Sequence, residues 1–383
     1  ILPYYRHSFF RKLHARLKAY DVNLTLYYGQ ENTGSVPKTR PLEEPWAIQI
    51  TNSYVKLGTS EITWQPCYKQ LKGYDLVIVE QAGRLLLNYA LLINRYLGLT
   101  KLAYFGHGKN YQASNAIMHA VNWLKKCLLH KADWWFAYTS KSKALLTASG
   151  YPENKITLVE NSIDTEELER SLEQVTAMDQ FRVREQLNLT GEAQVSVFCG
   201  GMYSEKRLEF IVEASIEIQK QLPNYHLILI GEGPDENIAT EAAKKYPWIH
   251  YAGPKYGKER AAFFKVSDLI MMPGLVGLVI IDSFVAKTPL ITTNVAYHSP
   301  EIAYLENGIN GIMTENSIQA YSKAIIRYFS EEKYRSVLKD GCKKASQHLT
   351  ISNMVENFSE GIIAYLSESK QQTYAEPRTG NGS

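Results

Sequence analysis

The feature that most constrains the fold is a succession of strand, glycine turn, helix and strand within residues 267–301. Residues 268–272 form a short apolar run, residues 278–287 have the length of a helix, and residues 290–293 form a second apolar run. Two strands joined through a helix run parallel in one sheet, and the helix begins at the carboxyl edge of that sheet. The pattern therefore predicts a parallel α/β sheet.

The start of this predicted helix has the properties of an anion site. The backbone amides of Gly277, Leu278 and Val279 come before the first intrahelical hydrogen bonds, so they are free to face a phosphate. Asp282 lies one turn further on, where its carboxylate can accept hydroxyl protons from a ribose. We therefore expect a phosphate and a ribose at the carboxyl edge of this sheet.

Strands and helices alternate along most of the remaining sequence. A short strand is predicted over residues 1–5, and a basic amphipathic helix over residues 7–20. Further strands are predicted at residues 22–28, 74–81, 100–105, 133–138, 155–159, 194–199, 226–230 and 249–252. Residues 165–189 are polar and helical with few core anchors, which predicts a link between two domains. Alternation on both sides of this link predicts two doubly wound halves.

Composition excludes several classes of protein. The 383 residues exceed one ordinary core, and the 45% hydrophobic and 21% charged fractions are typical of a globular protein without a membrane span. A net charge of +3 gives no concentrated basic face for nucleic acid. The four cysteines show neither metal-ligand spacing nor a disulfide pattern, so we expect buried thiols in a reducing compartment. No signal peptide is visible, and a start at Ile1 without methionine suggests a clipped first strand.

Residues 273–289 resemble the donor site of the retaining glycosyltransferases called group 1 or family 4. The family pattern is approximately Pro-Ser-x-x-Glu-x-Phe-Gly-Leu-x-x-x-Glu-Ala-x-x-x-Gly-x-Pro, and Gly277, Leu278 and Asp282 fall in register with it. Asp282 is a shortened form of the second glutamate, whereas Gly274 stands where the first glutamate of the family contacts the donor sugar. The resemblance implies that backbone amides or another part of the chain supply the sugar contact at Gly274.

A second match follows the strand predicted at residues 194–199. Lys206 and Arg207 are predicted to open a helix, where the helix dipole makes a cation unfavourable by up to about 1 kcal/mol unless an anion is near. The family motif Gly-Arg-x-x-x-x-Lys holds the donor diphosphate; Gly200 and Lys206 match it, and Gly201 replaces its arginine. The resemblance implies Arg207 as the substitute for that arginine. The alternative is a solvated basic turn balanced by neighbouring glutamates.

Two further candidates follow other predicted strands. His107 lies between two glycines and matches the family histidine near the transferred sugar, where a neutral imidazole hydrogen-bonds a hydroxyl or phosphate without adding charge. Lys109 and Asn110 are weaker candidates of the same kind. Glu301 matches the glutamate of the family's Gly-x-x-Glu signature. The alternatives are an ordinary turn histidine and an ordinary acid at the start of a helix.

Motifs of other chemistries are missing from the sequence. It contains no Gly-x-Ser-x-Gly elbow, no His-Glu-x-x-His pair, no carboxylate cluster with cation spacing and no Walker loop. We therefore expect no metal and no cofactor besides the donor substrate, a UDP- or GDP-sugar. Stabilisation of the leaving group then falls to helix amides and cationic side chains.

The resemblance implies an α/β, GT-B-like fold of two doubly wound Rossmann-type domains that face each other across a cleft. We predict an acceptor-side domain over residues 1–167 and a nucleotide-sugar domain over residues 168–352. A C-terminal helix over residues 353–370 is expected to return to the first domain, and a disordered tail is expected over residues 371–383.

The predicted activity is metal-independent transfer of a hexose, with retention, to a glycan, lipid-linked or cell-envelope polysaccharide acceptor. The expected catalytic residues are His107, Lys206 and Asp282. Two kinds of alternative remain open. One is a catalytically impaired sugar-nucleotide binding protein on the same fold. The other is a nucleotide-sugar epimerase or a relative of glycogen phosphorylase, which would need more acidic catalytic residues or a cofactor lysine respectively, and neither can be placed in the sequence.

The expected location is the cytoplasm, with weak and salt-sensitive association at the inner face of the cytoplasmic membrane. The helix over residues 7–20 combines an apolar face with basic residues, and residues 123–135 add lysines and paired tryptophans. The alternative is that both apolar faces pack on the sheet of the first domain.

Overall fold

The computed structural model describes residues 2–30, 41–57, 60–108 and 131–375. The chain divides into two compact units. The first unit consists of Ile1–Asn161 together with Ser352–Ser383, and the second unit consists of Ser162–Ile351.

The first unit is built on a parallel sheet of four strands in the order β5-β6-β7-β8. Its strands are β1 (Leu26–Gly29), β2 (Ala47–Ile50), β3 (Ser53–Leu57), β4 (Ser60–Trp64), β5 (Val77–Glu80), β6 (Leu102–Gly106), β7 (Trp134–Ala137) and β8 (Ile156–Leu158). Its helices are α1 (His7–Lys18), α2 (Leu86–Tyr96) and α3 (Ser140–Ala148), and α12 (Ile351–Ala375) joins it from the C-terminal end of the chain. The strands β1 and β2 form a separate parallel pair, and β3 and β4 form a hairpin.

Aromatic contacts fix α12 on the sheet of the first unit. The ring of Phe358 stacks on that of Phe136 in β7 with centroids 4.3 Å apart, and it meets the edge of Phe9 in α1 at 5.5 Å. Gly361 gives α12 its close approach, because a Cβ there would lie 2.2 Å from the hydroxyl oxygen of Thr157. The apolar face of α1 is therefore used in the core, with Phe9, Leu13 and Leu17 each 1% exposed.

The second unit is a doubly wound sheet of six parallel strands in the order β11-β10-β9-β12-β13-β14. Its strands are β9 (Gln194–Cys199), β10 (Tyr225–Ile230), β11 (Ile249–Gly253), β12 (Leu269–Met271), β13 (Leu290–Thr293) and β14 (Gly311–Thr314). Its helices are α4 (Thr165–Gln174), α5 (Ala177–Gln186), α6 (Leu208–Gln219), α7 (Glu236–Lys245), α8 (Gly257–Lys265), α9 (Val279–Ala286), α10 (Ile318–Ser330) and α11 (Glu332–Ser346).

The strand order of the second unit reverses between β9 and β12. In a doubly wound sheet, ligands bind at the carboxyl ends of the strands where the order reverses. The strand, helix and strand predicted for residues 267–301 are present as β12, α9 and β13. They form a crossover in which Ile270 pairs with Leu290 in parallel register. The predicted parallel α/β sheet is confirmed, and it places the start of α9 at this edge.

Four of the expectations from the sequence about the elements of the two units are wrong, and a fifth, at Arg207, is described with the site. Residues 4–6 form a 3-10 helix rather than a strand, and the Arg6 amide closes it by donating to the Pro3 carbonyl at 2.9 Å. The stretch 165–189 is not a bare link: Leu168 and Leu172, one turn apart on α4, are buried in the core of the second unit. Helix α12 continues to Ala375, past residue 370.

The fourth correction concerns the paired tryptophans. Trp134 and Trp135 lie in β7 and are 4% and 0% exposed, so they pack in the sheet and do not reach a headgroup region. The remaining basic and aromatic residues of that stretch, and the candidates Lys109 and Asn110, lie outside the described residues.

Candidate functional site

Two loops meet where the strand order of the second unit reverses. The loop after β9 carries Glu205 and Lys206, and the loop between β12 and α9 carries Leu275. The Leu275 amide donates to the Glu205 carbonyl at 2.8 Å, and the Lys206 ammonium donates to the Leu275 carbonyl at 2.5 Å. These two bonds hold the loops together at the carboxyl edge of the sheet.

Lys206 is a buried cation at this edge. Its side chain is in the loop after β9, and the residue is only 6% exposed. Desolvation lowers the pKa of Lys206 from 10.5 to about 8, and Glu205 opposes that shift in part. An ammonium has three N–H donors, so the bond to Leu275 leaves two for a ligand. A buried cation with spare donors is favourable only when an anion is bound beside it.

Gly274 has no room for a side chain. A Cβ at this position would lie 2.0 Å from the carbonyl oxygen of Glu205. The position equivalent to the family's first glutamate is therefore occupied by the backbone of the loop after β9. Gly277 differs, because a Cβ there would meet the Ser299 hydroxyl at an ordinary 3.7 Å.

Glycines also bring the loops after β9 and β10 into direct backbone contact. The Gly200 amide donates to the Ile230 carbonyl at 3.1 Å, and a Cβ on Gly231 would lie 1.9 Å from the Gly200 carbonyl oxygen. A Cβ on Gly201 would lie 3.0 Å from the Tyr203 ring. The short Gly-x-Gly run after β10 is therefore explained by close packing of two loops.

Arg207 does not open a helix as the sequence analysis expected. Lys206 ends a short 3-10 helix, and Arg207 then adopts the left-handed region at φ 59° before α6 begins. Its guanidinium donates to the Asn316 side chain at 2.7 Å and to the Thr293 hydroxyl at 3.2 Å, and it lies 4.2 Å from the centre of the Phe210 ring. Its donors thus serve protein acceptors at the ends of β13 and β14.

The loop before α9 is fixed from its other side by His298. The Val276 amide donates to His298 Nδ1 at 3.1 Å, while His298 Nε2 lies 2.8 Å from the Thr293 carbonyl. Because a carbonyl only accepts, Nε2 carries the proton and the imidazole is neutral in this arrangement.

The amides at the start of α9 come before the hydrogen bonds of the helix itself. The first hydrogen bond inside this helical segment is donated by Ile280 to the Gly277 carbonyl, at 3.2 Å. The amides of Gly277, Leu278 and Val279 precede it and belong to half-buried residues. They form the helix terminus that the sequence predicts for an anion.

Asp282 is buried one turn into α9 and faces Arg260 of α8. The residue is 6% exposed, and its Oδ2 lies 3.3 Å from Nη1 of Arg260. Burial raises the pKa of the Asp282 carboxyl, and Arg260 opposes this shift. Its other oxygen, Oδ1, has no hydrogen-bond partner within the described part of the chain. Arg260 could not be identified from the sequence, because an arginine on an amphipathic helix carries no motif.

Glu301 also lies in the second unit. It sits in a short 3-10 helix, Pro300–Tyr304, and is 4% exposed. The preceding Ser299 amide donates to the Val276 carbonyl at 3.0 Å, so this segment supports the loop before α9.

His107 lies in the first unit at the carboxyl end of β6. Its ring meets the Tyr138 ring edge-on with centroids 4.5 Å apart. Burial, aided by the charge of Arg6, lowers the pKa of His107 to about 4, so the imidazole is neutral at pH 7. Its Nδ1 is buried without a hydrogen-bond partner among the described residues. The neutral imidazole predicted from the sequence fits this environment.

Neither a metal cluster nor a membrane-spanning helix is found in the part of the chain that the structure describes. No group of three or more histidine, cysteine or acidic side chains in this part of the chain is placed to hold a metal ion. No helix there combines the length and apolar character that a membrane crossing requires.

Comparison with known proteins points to one family. Residues 193–331 match the family model described as Glycosyl transferases group 1. Over 146 residues the chain is 27% identical to the alpha-monoglucosyldiacylglycerol synthase of Acholeplasma laidlawii. The matched residues make up 37% of this chain and 35% of that synthase. The chain spans about a third to a half of the length of the curated relatives it matches, 35% and 51%.

Solved structures show the fold. A glycosyltransferase from Rickettsia africae superposes with a TM-score of 0.67 at 15% identity, covering 95% of each chain. HepE of Anabaena in complex with UDP superposes with a TM-score of 0.61 at 14% identity, covering 78% of this chain and 80% of HepE. The predicted GT-B fold is confirmed by these similarities.

Proposed function

We propose that this chain transfers a sugar from a nucleotide-diphosphate sugar to an acceptor, because residues 193–331 match the family model of the group 1 glycosyltransferases. The proposed donor is a UDP-sugar, with a GDP-sugar as the second choice. Support for uridine comes from the similar structures that hold UDP or UDP-glucose. The proposed reaction retains the anomeric configuration and moves a hexose without a metal ion.

The observation that carries the proposal is the buried ammonium of Lys206 at the reversal of strand order. Departure of the nucleotide diphosphate develops negative charge on the phosphate oxygens. Lys206 and the amides of Gly277, Leu278 and Val279 would stabilise that charge more strongly than the charge of the bound donor. In a site of low dielectric such fixed donors need little reorganisation during the reaction.

His107 is proposed to bind the transferred sugar or the donor phosphate. A neutral imidazole offers one donor and one acceptor, and its low pKa keeps it uncharged across the physiological range. It would therefore orient the sugar without competing for the diphosphate. Glu301 and the backbone at Gly200, Gly201 and Gly274 are proposed as further donor contacts.

The proposed acceptor is a glycan, a lipid-linked sugar or a cell-envelope polysaccharide. The similar synthase from Acholeplasma laidlawii is named for a glucosylated diacylglycerol, which favours including diacylglycerol acceptors in any test. The decisive experiment incubates the chain with UDP-glucose, UDP-galactose, UDP-N-acetylglucosamine and GDP-mannose against these acceptors. Mass spectrometry detects the product, and proton NMR of the anomeric signal distinguishes retention from inversion.

Two outcomes of this experiment oppose the proposal in different ways. Absence of product with every pair opposes the transferase activity, and an inverted product opposes retention alone. A parallel reaction in excess EDTA, which removes divalent metal ions, tests metal independence. We expect the same rate of transfer with and without EDTA.

A second candidate function is that of a sugar-nucleotide binding protein with impaired catalysis. The observation in its favour is the 2.0 Å approach of the Glu205 carbonyl to the Cβ position of Gly274, which leaves no room for a carboxylate. Tight binding of UDP-sugars without product across the acceptor panel would support this candidate.

We also propose weak, salt-sensitive association with anionic lipid. The apolar face of α1 is packed in the core, so only charge remains for a membrane surface. Part of that charge is paired: Arg11 with Glu44 at 2.8 Å, and Arg16 with Glu356. A basic residue near an anionic surface contributes about 1 kcal/mol at low salt. Co-sedimentation with phosphatidylglycerol vesicles should fall between low and high salt, and absence of binding at both would exclude the association.

A further inference from the structure

The pair formed by Arg260 and Asp282 joins three parts of the second unit. Arg260 lies on α8, Asp282 lies on α9, and the guanidinium also interacts with the thiol of Cys199, the last residue of β9. The loop with Gly200 and Lys206 begins directly after Cys199. The pair is therefore placed beside the point where the strand order reverses.

The side chains of Arg260 and Asp282 use only part of their hydrogen-bonding capacity. One contact of 3.3 Å joins Nη1 of Arg260 to Oδ2 of Asp282, although an arginine and a carboxylate can form two parallel bonds. Oδ1 of Asp282 and Nε of Arg260 both lack partners within the described ranges. A buried charged oxygen without a hydrogen bond is costly, so the site is arranged for a ligand that donates to Asp282.

Charge decides which part of a nucleotide fits here. The groups that face Asp282 are the cation Arg260 on α8, the acid Glu167 on α4 and the neutral thiol of Cys199 on β9, whose pKa burial raises to about 12. One cation and two carboxylates do not attract a phosphate. A sugar hydroxyl is neutral and donates a hydrogen bond, so it suits a carboxylate acceptor.

We propose that Arg260 is the positioning residue of the donor site, which holds Asp282 charged and oriented as the acceptor for the ribose hydroxyls. This inference rests on the proposed function, because it requires a ribonucleotide at the carboxyl edge of β9 and β12. Arg260 acts through Asp282. The side chain of Arg260 is 28% exposed and that of Asp282 is 8% exposed, so the pair is not fully closed to solvent.

The test compares UDP with 2′-deoxy-UDP and 3′-deoxy-UDP by isothermal titration calorimetry. The parental chain is expected to bind UDP at least about tenfold more tightly than one of the deoxy analogues, because a hydrogen bond to a charged group is lost. In Arg260→Met this preference should shrink to less than about threefold. Arg260→Lys keeps the charge and should retain most of the preference.

A pH series separates positioning from a general structural role. Removing Arg260 leaves the buried carboxyl of Asp282 with a pKa raised further, so Asp282 becomes protonated as the pH falls. We therefore compare the affinity of Arg260→Met for UDP with that of the parental chain at each pH. The ratio of variant to parental affinity is expected to decrease as the pH is lowered from 7.5 to 5.5. The double variant Arg260→Met with Asp282→Asn should remove this pH dependence, and it also relieves the unpaired buried charge if the single variant folds poorly.

Each outcome has a distinct meaning. An equal loss of affinity for UDP and both deoxy analogues in Arg260→Met, with no pH dependence, would show a structural ion pair and overturn the inference. Equal binding of all three nucleotides by the parental chain would overturn it as well. Failure of the parental chain to bind UDP at all would contradict the donor site itself.

Discussion

The ammonium of Lys206 donates to the carbonyl of Leu275 across 2.5 Å and so joins the loop after β9 to the loop before α9. This bond fixes a cation beside the amides at the start of α9. The cation is costly in the free chain, since desolvation lowers the pKa of Lys206 to about 8. A bound diphosphate would reverse that cost, which makes Lys206 the most informative residue to change.

Replacing Lys206 with methionine is expected to reduce kcat/KM by on the order of a hundredfold, the size seen when one transition-state donor is removed. Thermal unfolding should show an unchanged or higher Tm, because the variant removes a buried charge. Lys220→Met is the matched control, since Lys220 directly follows α6, its side chain is 60% exposed, and the change should leave kcat/KM unchanged. Near-parental kcat/KM in Lys206→Met would identify the lysine as a structural tie between loops.

Affinity for UDP is expected to fall as the pH rises from 7.5 to 9.5. Lys206 is charged below a pKa of about 8 and loses its proton above it, whereas the bound diphosphate favours the charged form. Calorimetry at each pH measures the affinity for UDP. The same series with Lys206→Met gives a reference curve that lacks the contribution of the lysine charge. A parental curve parallel to that reference would mean that Lys206 does not meet the phosphates.

The same pKa has a consequence for stability in the absence of ligand. The folded value lies below the ordinary 10.5, so the charged lysine costs stability below pH 8, and the cost is relieved as the pH rises from about 8 to 10.5. Urea unfolding of the parental chain and of Lys206→Met should therefore differ most at neutral pH and converge above pH 10.

Gly274→Ala is expected to destabilise the chain strongly, because its Cβ would lie 2.0 Å from the carbonyl of Glu205 and the backbone would have to move. Overpacking of this kind costs about 3 kcal/mol or more, which corresponds to a fall in Tm of roughly 6 °C or more. Gly277→Ala is the matched control in the same loop, where the nearest atom is 3.7 Å away and little change is expected. Equal Tm values for the two variants would contradict the close approach at Gly274.

His107→Phe is expected to lower kcat by about tenfold or more, because the ring remains but its hydrogen bonds to the substrate are lost. The control His348→Gln changes an exposed histidine on the second unit and should have no effect. In the parental chain, nuclear magnetic resonance should show the His107 imidazole titrating near pH 4. A midpoint near the ordinary 6.5 would mean that the ring is solvated rather than buried.

The β12–α9–β13 crossover could be predicted from the sequence because its signals are local. An apolar run, a glycine turn, a helix-length segment and a second apolar run specify the order of elements, and the pairing of Ile270 with Leu290 follows from that order. The anion-binding amides could be predicted for the same reason, since they need only the position of the helix start.

Other parts of the site depend on contacts between distant segments. The reason for a glycine at 274 is the carbonyl of Glu205, which is 69 residues away in the sequence and comes close only in the folded sheet. Arg260 faces Asp282 because α8 packs near α9, and no spacing in the sequence shows this. The left-handed backbone of Arg207 was missed too, because positive φ at a bulky residue is set by tertiary contacts.

A crystal structure of the chain soaked with UDP would show directly whether Lys206 binds the donor diphosphate. We expect a diphosphate at the carboxyl ends of β9 and β12, with a phosphate oxygen about 2.8 Å from Lys206 Nζ. A second phosphate contact should come from the amides at Gly277 to Val279. UDP bound at another place in the second unit, or a diphosphate that leaves Lys206 on Leu275 alone, would contradict the account.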